Sequence, residues 1–254
     1  MSVYQIVFSP TGGTQKVSSI FTKSFSPDNK IIDLCSYEIA FSSCSFEEQD
    51  ICIVSVPSYG GRVPETAVSR LRQIKGNKAR AILLVVYGNR AYEDTFTELQ
   101  DVLEESGFSC IAAVAAVAEH SIMRQFAAGR TDDHDKQELA AFATEIRSKI
   151  ESETLTVSLK LPGNRPYREY GGVPMKPRTD KTCQQCGLCA RQCPVGAIPL
   201  DNPSKTDAKK CISCMRCIAV CPQKARSVSK TLLAAGSLKM KKVCSVRKGN
   251  ELFV

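Results

Sequence analysis

The chain has 254 residues, 43% apolar and 24% charged, with 13 cysteines and a formal charge of +8. That length is enough for one large or two small domains with a proper core, and the composition excludes a disordered, collagen-like or membrane-embedded chain. The longest apolar run, Cys110 to Ala118, is far short of a spanning helix, and the start Met1-Ser-Val-Tyr-Gln lacks the basic and apolar regions of an export signal. The expectation is a cytoplasmic protein, where so many cysteines point to metal rather than disulfides.

Charge and cysteine are unevenly spread. Residues 1–160 hold 16 Lys and Arg against 21 Asp and Glu, whereas residues 161–254 hold 18 against 5. Four cysteines, Cys35, Cys44, Cys52 and Cys110, lie singly in the first part and nine crowd the second. Two differently built units are expected.

In chain order, Val3–Phe8 reads as a strand, ended by Ser9-Pro-Thr11-Gly12-Gly13-Thr14. A helix follows with Val17, Ile20 and Phe21 on one face. Lys30–Leu34 and Ile51–Val56 are the second and third strands, and Pro64 is placed to open a helix running to Ile74. Ala81–Tyr87 is apolar throughout and reads as a buried central strand. Tyr92–Glu105 is helical and stopped by Gly107, Phe108–Ala118 is a fifth strand, and Asp132–Ser152 is a helix with an acidic start. Strands alternating with helices predict an α/β fold, a doubly wound five-stranded parallel sheet whose ligand lies beyond the strands' carboxyl ends.

From Leu161 to about Asp180 seven prolines and glycines replace the pattern, so this reads as an ordered strap packed by Tyr167 and Tyr170. Residues 181–230 form a second, smaller unit, and the basic tail 231–254 shows no clear element.

The second unit carries an internal repeat. Cys183-Gln-Gln-Cys186-Gly-Leu-Cys189-Ala-Arg-Gln-Cys193-Pro194 recurs 28 residues on as Cys211-Ile-Ser-Cys214-Met-Arg-Cys217-Ile-Ala-Val-Cys221-Pro222. In C-x2-C-x2-C-x3-C-P, three thiolates reach one cubane from a single loop and the fourth ligates the other cluster. The predicted sets are Cys183, Cys186, Cys189 and Cys221 for one 4Fe–4S cluster and Cys211, Cys214, Cys217 and Cys193 for the second. Zinc favours two separated C-x2-C pairs, and disulfides fit neither the compartment nor the odd total. This segment resembles the bacterial two-cluster ferredoxins, a small α+β fold, which implies one-electron transfer.

Ser9–Thr14 closes a strand and opens a helix, where main-chain N–H groups and hydroxyls can hold a phosphate dianion. Neither the nucleoside-triphosphate loop nor the dinucleotide fingerprint is present. Two further loops reach the same sheet edge: Pro57-Ser58-Tyr59-Gly60-Gly61-Arg62 and Gly88-Asn89-Arg90-Ala-Tyr92-Glu-Asp94. With these motifs, residues 1–160 resemble the flavodoxins, and the whole chain resembles flavodoxin–ferredoxin fusion proteins of anaerobes. The resemblance implies FMN, with its phosphate on Ser9, Thr11, Gly12, Gly13 and Thr14. Its ring would lie among Pro57, Ser58, Tyr59, Gly60, Gly61, Gly88, Asn89, Arg90 and Tyr92. No tryptophan is available to stack on the flavin. Arg62 and Arg90 either face the ring or pair with Glu93 and Asp94. His120, after the fifth strand, is a weak candidate for a catalytic donor.

The expected function is an electron carrier joining FMN to two clusters, serving an acidic redox protein partner. The alternative is an FMN-dependent reductase of a small organic substrate, fed by the clusters. Lys239, Lys241, Lys242, Arg247 and Lys248 lack the interleaved aromatics of a nucleic-acid module, so neither nucleic acid nor membrane is expected as a partner.

Overall fold

A computed structural model of the chain describes residues 1–154 and 159–254. The first unit runs β1 (Val3–Val7), α1 (Gly13–Phe25), β2 (Lys30–Asp33), β3 (Ile51–Pro57), α2 (Glu65–Leu71), β4 (Arg80–Tyr87), α3 (Thr95–Glu105), β5 (Ser109–Val117) and α4 (Asp133–Glu151). Its parallel strands stand in the order β2-β1-β3-β4-β5, the doubly wound order of the flavodoxin-like fold.

The period of two along the strands decides which layer each residue joins. Cys52, Val54 and Val56 of β3, with Leu83, Val85 and Tyr87 of β4, pack on the face that carries Leu71 of α2 and Phe96 and Leu99 of α3. Ile51 and Ile53 of β3, with Ile82, Leu84 and Val86 of β4, pack on the opposite face against Val17 and Phe21 of α1 and Leu139 and Ile146 of α4. Central strands buried on both faces must be apolar at every position, as Ile82–Val85 are. Pro64 precedes α2 as its N-cap instead of being its first helical residue, and the helix ends at Leu71 rather than Ile74.

The second unit is made of very short elements: β6 (Arg178–Thr179), α5 (Leu188–Arg191), α6 (Arg216–Ala219) and β7 (Arg226–Ser227), with β6 and β7 antiparallel. The structure then corrects the reading of the tail. Lys230–Cys244 is a 15-residue helix, α7, and Glu251–Phe253 is a strand, β8. β8 pairs antiparallel with β5, Ala113 opposite Phe253, so the sheet has six strands rather than five. The helical signal was hidden because the inward stripe of α7 includes a glycine. Leu233, Gly236, Met240 and Cys244 face the protein, while the outward side mixes lysines with exposed Leu232, Leu238 and Val243. Gly236 lets the helix lie close to two methionines, since a Cβ there would lie 2.6 Å from Met175 Cε and 2.8 Å from Met123 Cε and would push their ends aside.

The tail is tied down by polar contacts as well. Asn250 accepts the Val117 N–H at 2.9 Å and donates to Asp135 and Glu138. Asn89 donates to the carbonyls of Cys244 and Val246. The opposite charges of the two halves meet at the strap and the tail: Arg165 pairs with Asp101, Arg168 with Glu93 and Arg247 with Asp132.

Candidate functional site: a sheet-edge cavity beside two cysteine cages

At the carboxyl edge of the sheet lies a cavity of about 510 Å³, within the range of small-molecule sites. It opens at the switch point, where the chain leaves β1 and β3 toward opposite faces. Pro10, Thr11, Gly13 and Thr14 form one wall, Pro57–Gly60 a second, Gly88 and Arg90 a third, and Ala118–Met123 a fourth. α1 begins at this wall. Gly12 takes φ +89° as its N-cap, and the Ser9 hydroxyl accepts the Gln15 N–H at 2.8 Å, leaving the N–H groups of Gly13 and Thr14 to hold an anion.

Tyr59 is half-buried in this wall, and desolvation holds its hydroxyl well above the usual tyrosine range, with Cys214 adding to the effect. Gly60 has φ +61° and meets the Tyr170 ring of the strap so closely that no Cβ would fit. His120 backs onto Gly88, where a Cβ would lie 2.8 Å from its ring. Its Nδ1 accepts the N–H groups of Ile122 and Met123 at 3.2 Å each. Burial lowers its pKa, so the neutral ring carries its proton on Nε2 as a donor.

Several sequence-predicted residues stand elsewhere. Tyr92 donates to the Glu251 carboxylate and packs on Tyr87 and Phe96, so it braces the tail rather than lining the cavity. Asn89 is spent on the end of α7, and Gly61 is packed against Glu93. Ser9 and Gly12 lie outside the lining set, Ser9 holding the Gln15 N–H and Gly12 capping α1. Of the two arginines, Arg62 pairs with Glu98 and lies over the Tyr167 ring, while Arg90 lines the cavity but pairs with Glu93.

The sequence reading missed the roof, which comes from far along the chain. Tyr170 and Val173–Met175 of the strap, Gly236, Lys239 and Met240 of α7, and Ile212 and Ser213 complete the enclosure. The last two lie between Cys211 and Cys214. Ser213 donates to the Val173 carbonyl at 2.9 Å, which ties the strap to the cysteine loop.

The eight clustered cysteines separate into two cages by the crossed pattern expected from spacing. Cys183, Cys186, Cys189 and Cys221 wall one cavity, and Cys193, Cys211, Cys214 and Cys217 wall the other. The repeat extends to the backbone: Gln185 and Ser213, Gly187 and Met215, and Gly196 and Lys224 all take positive φ, each pair 28 residues apart. Ala197 N–H donates to Cys193 Sγ and Ala225 N–H to Cys221 Sγ, both at 3.3 Å. Burial pushes the Cys214 thiol up to about 12, with neighbouring Cys193, Cys217 and Cys211 raising it further. Thiols so hard to ionise become ligands when a cation compensates them. The cages fit iron–sulfur clusters, since each offers four sulfurs, an N–H donor to sulfur and a buried arginine Nε with no acceptor of its own. The remaining cysteines of the first unit are isolated, and burial pushes Cys35 and Cys110 each up to about 12, as expected for small apolar core residues.

Residues 182–225 match the family model described as a 4Fe-4S dicluster domain. Among curated proteins, the chain is 38% identical over 65 residues to the putative oxidoreductase AegA of Escherichia coli, covering 24% of this chain and 10% of that one. It is 38% identical over 55 residues to a component of an ion-translocating oxidoreductase complex of Methanosarcina acetivorans, covering 21% of each. The chain thus spans only a tenth to a fifth of the length of these relatives. Among solved structures, a Streptococcus pneumoniae flavodoxin is 21% identical with a TM-score of 0.41, covering 58% of this chain and 99% of that one. A flavodoxin from Archaea is 13% identical at 0.40, covering 59% and 99%. No helix among the described residues is long and apolar enough to cross a membrane. By its strand order and its cysteine repeat, the chain joins a flavodoxin-like fold to a 4Fe–4S dicluster domain, in the order of a flavodoxin–ferredoxin fusion.

Proposed function

We propose that the protein relays electrons between two 4Fe–4S clusters and one FMN, and on to a redox protein partner. Thr11, Gly13 and Thr14, at the start of α1, would hold the FMN phosphate, with Ser9 and Gly12 shaping the loop. Tyr59, Gly60 and Gly88 would border the ring, and His120 Nε2 would donate a hydrogen bond to it. FMN exchanges one or two electrons and each cluster one, so the pairing converts between the two kinds of transfer.

The observation that carries this reading is a shared wall. Ile212 and Ser213 line the sheet-edge cavity and also belong to the cysteine loop of the second cage. The inner cluster, on Cys193, Cys211, Cys214 and Cys217, would therefore neighbour the flavin, and the cluster on Cys183, Cys186, Cys189 and Cys221 would be the outer one. The roof of strap and α7 favours a relay over the alternative reductase, because it covers the face that a small substrate would approach.

Anaerobic purification with flavin, iron and sulfide quantified tests the reading. It expects FMN and about eight irons per chain, the content of two cubanes. Stopped-flow reduction should then show flavin-to-cluster transfer whose rate does not depend on protein concentration. Zinc in place of iron, absence of flavin, or transfer only between molecules would overturn it.

A further inference from the structure

The two cysteine repeats match in spacing, backbone conformation and N–H donors to sulfur, so their differences stand out. Leu188 in the first repeat is replaced by Arg216 in the second, and buried Ile198 is replaced by Arg226. Neither arginine takes part in an ion pair among the described residues. Arg226 is only 2% exposed. Its terminal nitrogens donate to Thr206 Oγ1 and to the carbonyls of Pro203 and Lys205, while its Nε has no acceptor. Arg216 donates to the Ser9 carbonyl at 3.4 Å, and its Nε is likewise buried and unpartnered. Arg226 lines the outer cage and Arg216 the inner one. Arg226 stands on β7, which packs against the α6 turn that carries Cys217 of the inner cage, so its charge lies near that cage as well.

A guanidinium stays protonated in any protein setting, and burying one without an anion is strongly unfavourable. Each of these would gain its anion when four thiolates close around a cluster. Reduction adds one more negative charge to that cluster, which a fixed cation stabilises, and hydrogen bonds and charge near the sulfurs are what set such potentials.

On the reading that both cages are loaded, we propose that Arg216 and Arg226 are the counter-charges of the inner and outer clusters, and that they bias the relay inward. The inner cluster feels both arginines and the outer mainly one, so the inner takes the first electron. A reduced one-electron carrier protein would deliver that electron at the outer cage, whose Cys186 is exposed. The electron then passes inward with no proton moved and no bond broken.

The test uses the full chain, purified anaerobically, as wild type and as Arg216→Leu, Arg216→Lys, Arg226→Ile and Arg226→Lys. Potentiometric titration would be followed by electron paramagnetic resonance, with each cluster assigned from contact-shifted cysteine proton resonances. Arg216→Leu should lower the inner cluster's reduction equilibrium about tenfold, which is 59 mV for a one-electron couple, and leave the outer unchanged. Arg226→Ile should lower the outer by a similar factor and the inner by less, and both lysine variants should recover part of the loss. Full iron content with both equilibria within threefold of wild type would overturn the proposal. So would loss of the cluster in leucine or isoleucine and lysine variants alike, because the role would then be structural. Fewer than two clusters in the wild-type protein would instead overturn the reading on which it rests.

Discussion

The sheet unit and the cysteine unit reach order by opposite means. Three parallel strands of the first unit are buried on both faces, and Ile6, Phe8, Ile53 and Leu84 are fully inaccessible. The second unit has two-residue strands and four-residue helices, and half of its buried cluster around Ala197 and Ile198 is cysteine. An apolar core stabilises the first roughly in proportion to the area it buries, about 25 cal/mol per Å². A segment of about 50 residues without such a core needs a metal or a covalent staple. The sheet unit should therefore fold empty, while the cysteine unit depends on what its sulfurs hold.

The sharpest way to break this contrast is to remove the iron. Anaerobic chelation should abolish hydrogen-exchange protection across residues 178–228 and leave β3, β4 and β5 protected. Protection that survives in both units would show that the second has a core of its own. In the same comparison, Cys193→Ser should deplete the inner cluster as Cys211→Ser does, and Cys221→Ser should deplete the outer as Cys183→Ser does. Each should remove about four of eight irons, because the fourth ligand comes from the other repeat. Pairing within a repeat would give the reverse assignment.

The next effects concern the tail, which belongs to the sheet although it follows the cysteine unit. Asn250→Ala strips the acceptor from the buried Val117 N–H and a donor from buried Asp135, and should cost about 1–3 kcal/mol in urea denaturation. Phe253→Ala should cost about 2 kcal/mol, less than a full core truncation because Phe253 is only partly buried against Phe96. If neither shifts the midpoint, β8 is an ornament rather than a sixth strand.

The strap offers a smaller, pH-dependent test. Asp101 is held below the usual carboxylate range by Arg165 and Tyr167, and hydrogen bonds from Asn164 and Arg168 hold Asp94 low. For groups with depressed folded values, the stabilisation is present above their ordinary pKa and is lost as pH falls through the lower folded value. Limited proteolysis should therefore find the strap intact throughout the ordinary carboxylate range and cleaved only once the pH falls below it, with β3 and β4 still resistant. Asp101→Asn at neutral pH should cost at most about 1 kcal/mol, since its Arg165 partner is well exposed.

Legibility followed the range of the determining interactions. Strands β3 and β4 and the crossed cysteine cages could be read directly, because continuous apolarity and thiol spacing are local signals. Tyr92 was misplaced because an aromatic after a strand looks the same whether it borders a ligand or braces a distant Glu251. Asn89, which is 3% exposed, was misread for the same reason: its partners lie about 155 residues downstream. α7 shows no clear pattern in sequence because its inward stripe, Leu233, Gly236, Met240 and Cys244, is interrupted by a glycine while Leu232, Leu238 and Val243 are exposed on the other side.

By itself, the order of residues determined the parallel sheet, the tight turn from β1 into α1 and the spacing of the eight clustered cysteines, since each follows from backbone geometry over a few neighbours. Only the folded chain decided that the tail completes the sheet, that strap and α7 roof the cavity, and that the Cys211–Cys214 loop forms part of its wall. Those outcomes depend on surfaces more than 100 residues apart meeting with matched shape and opposite charge, which no local pattern records.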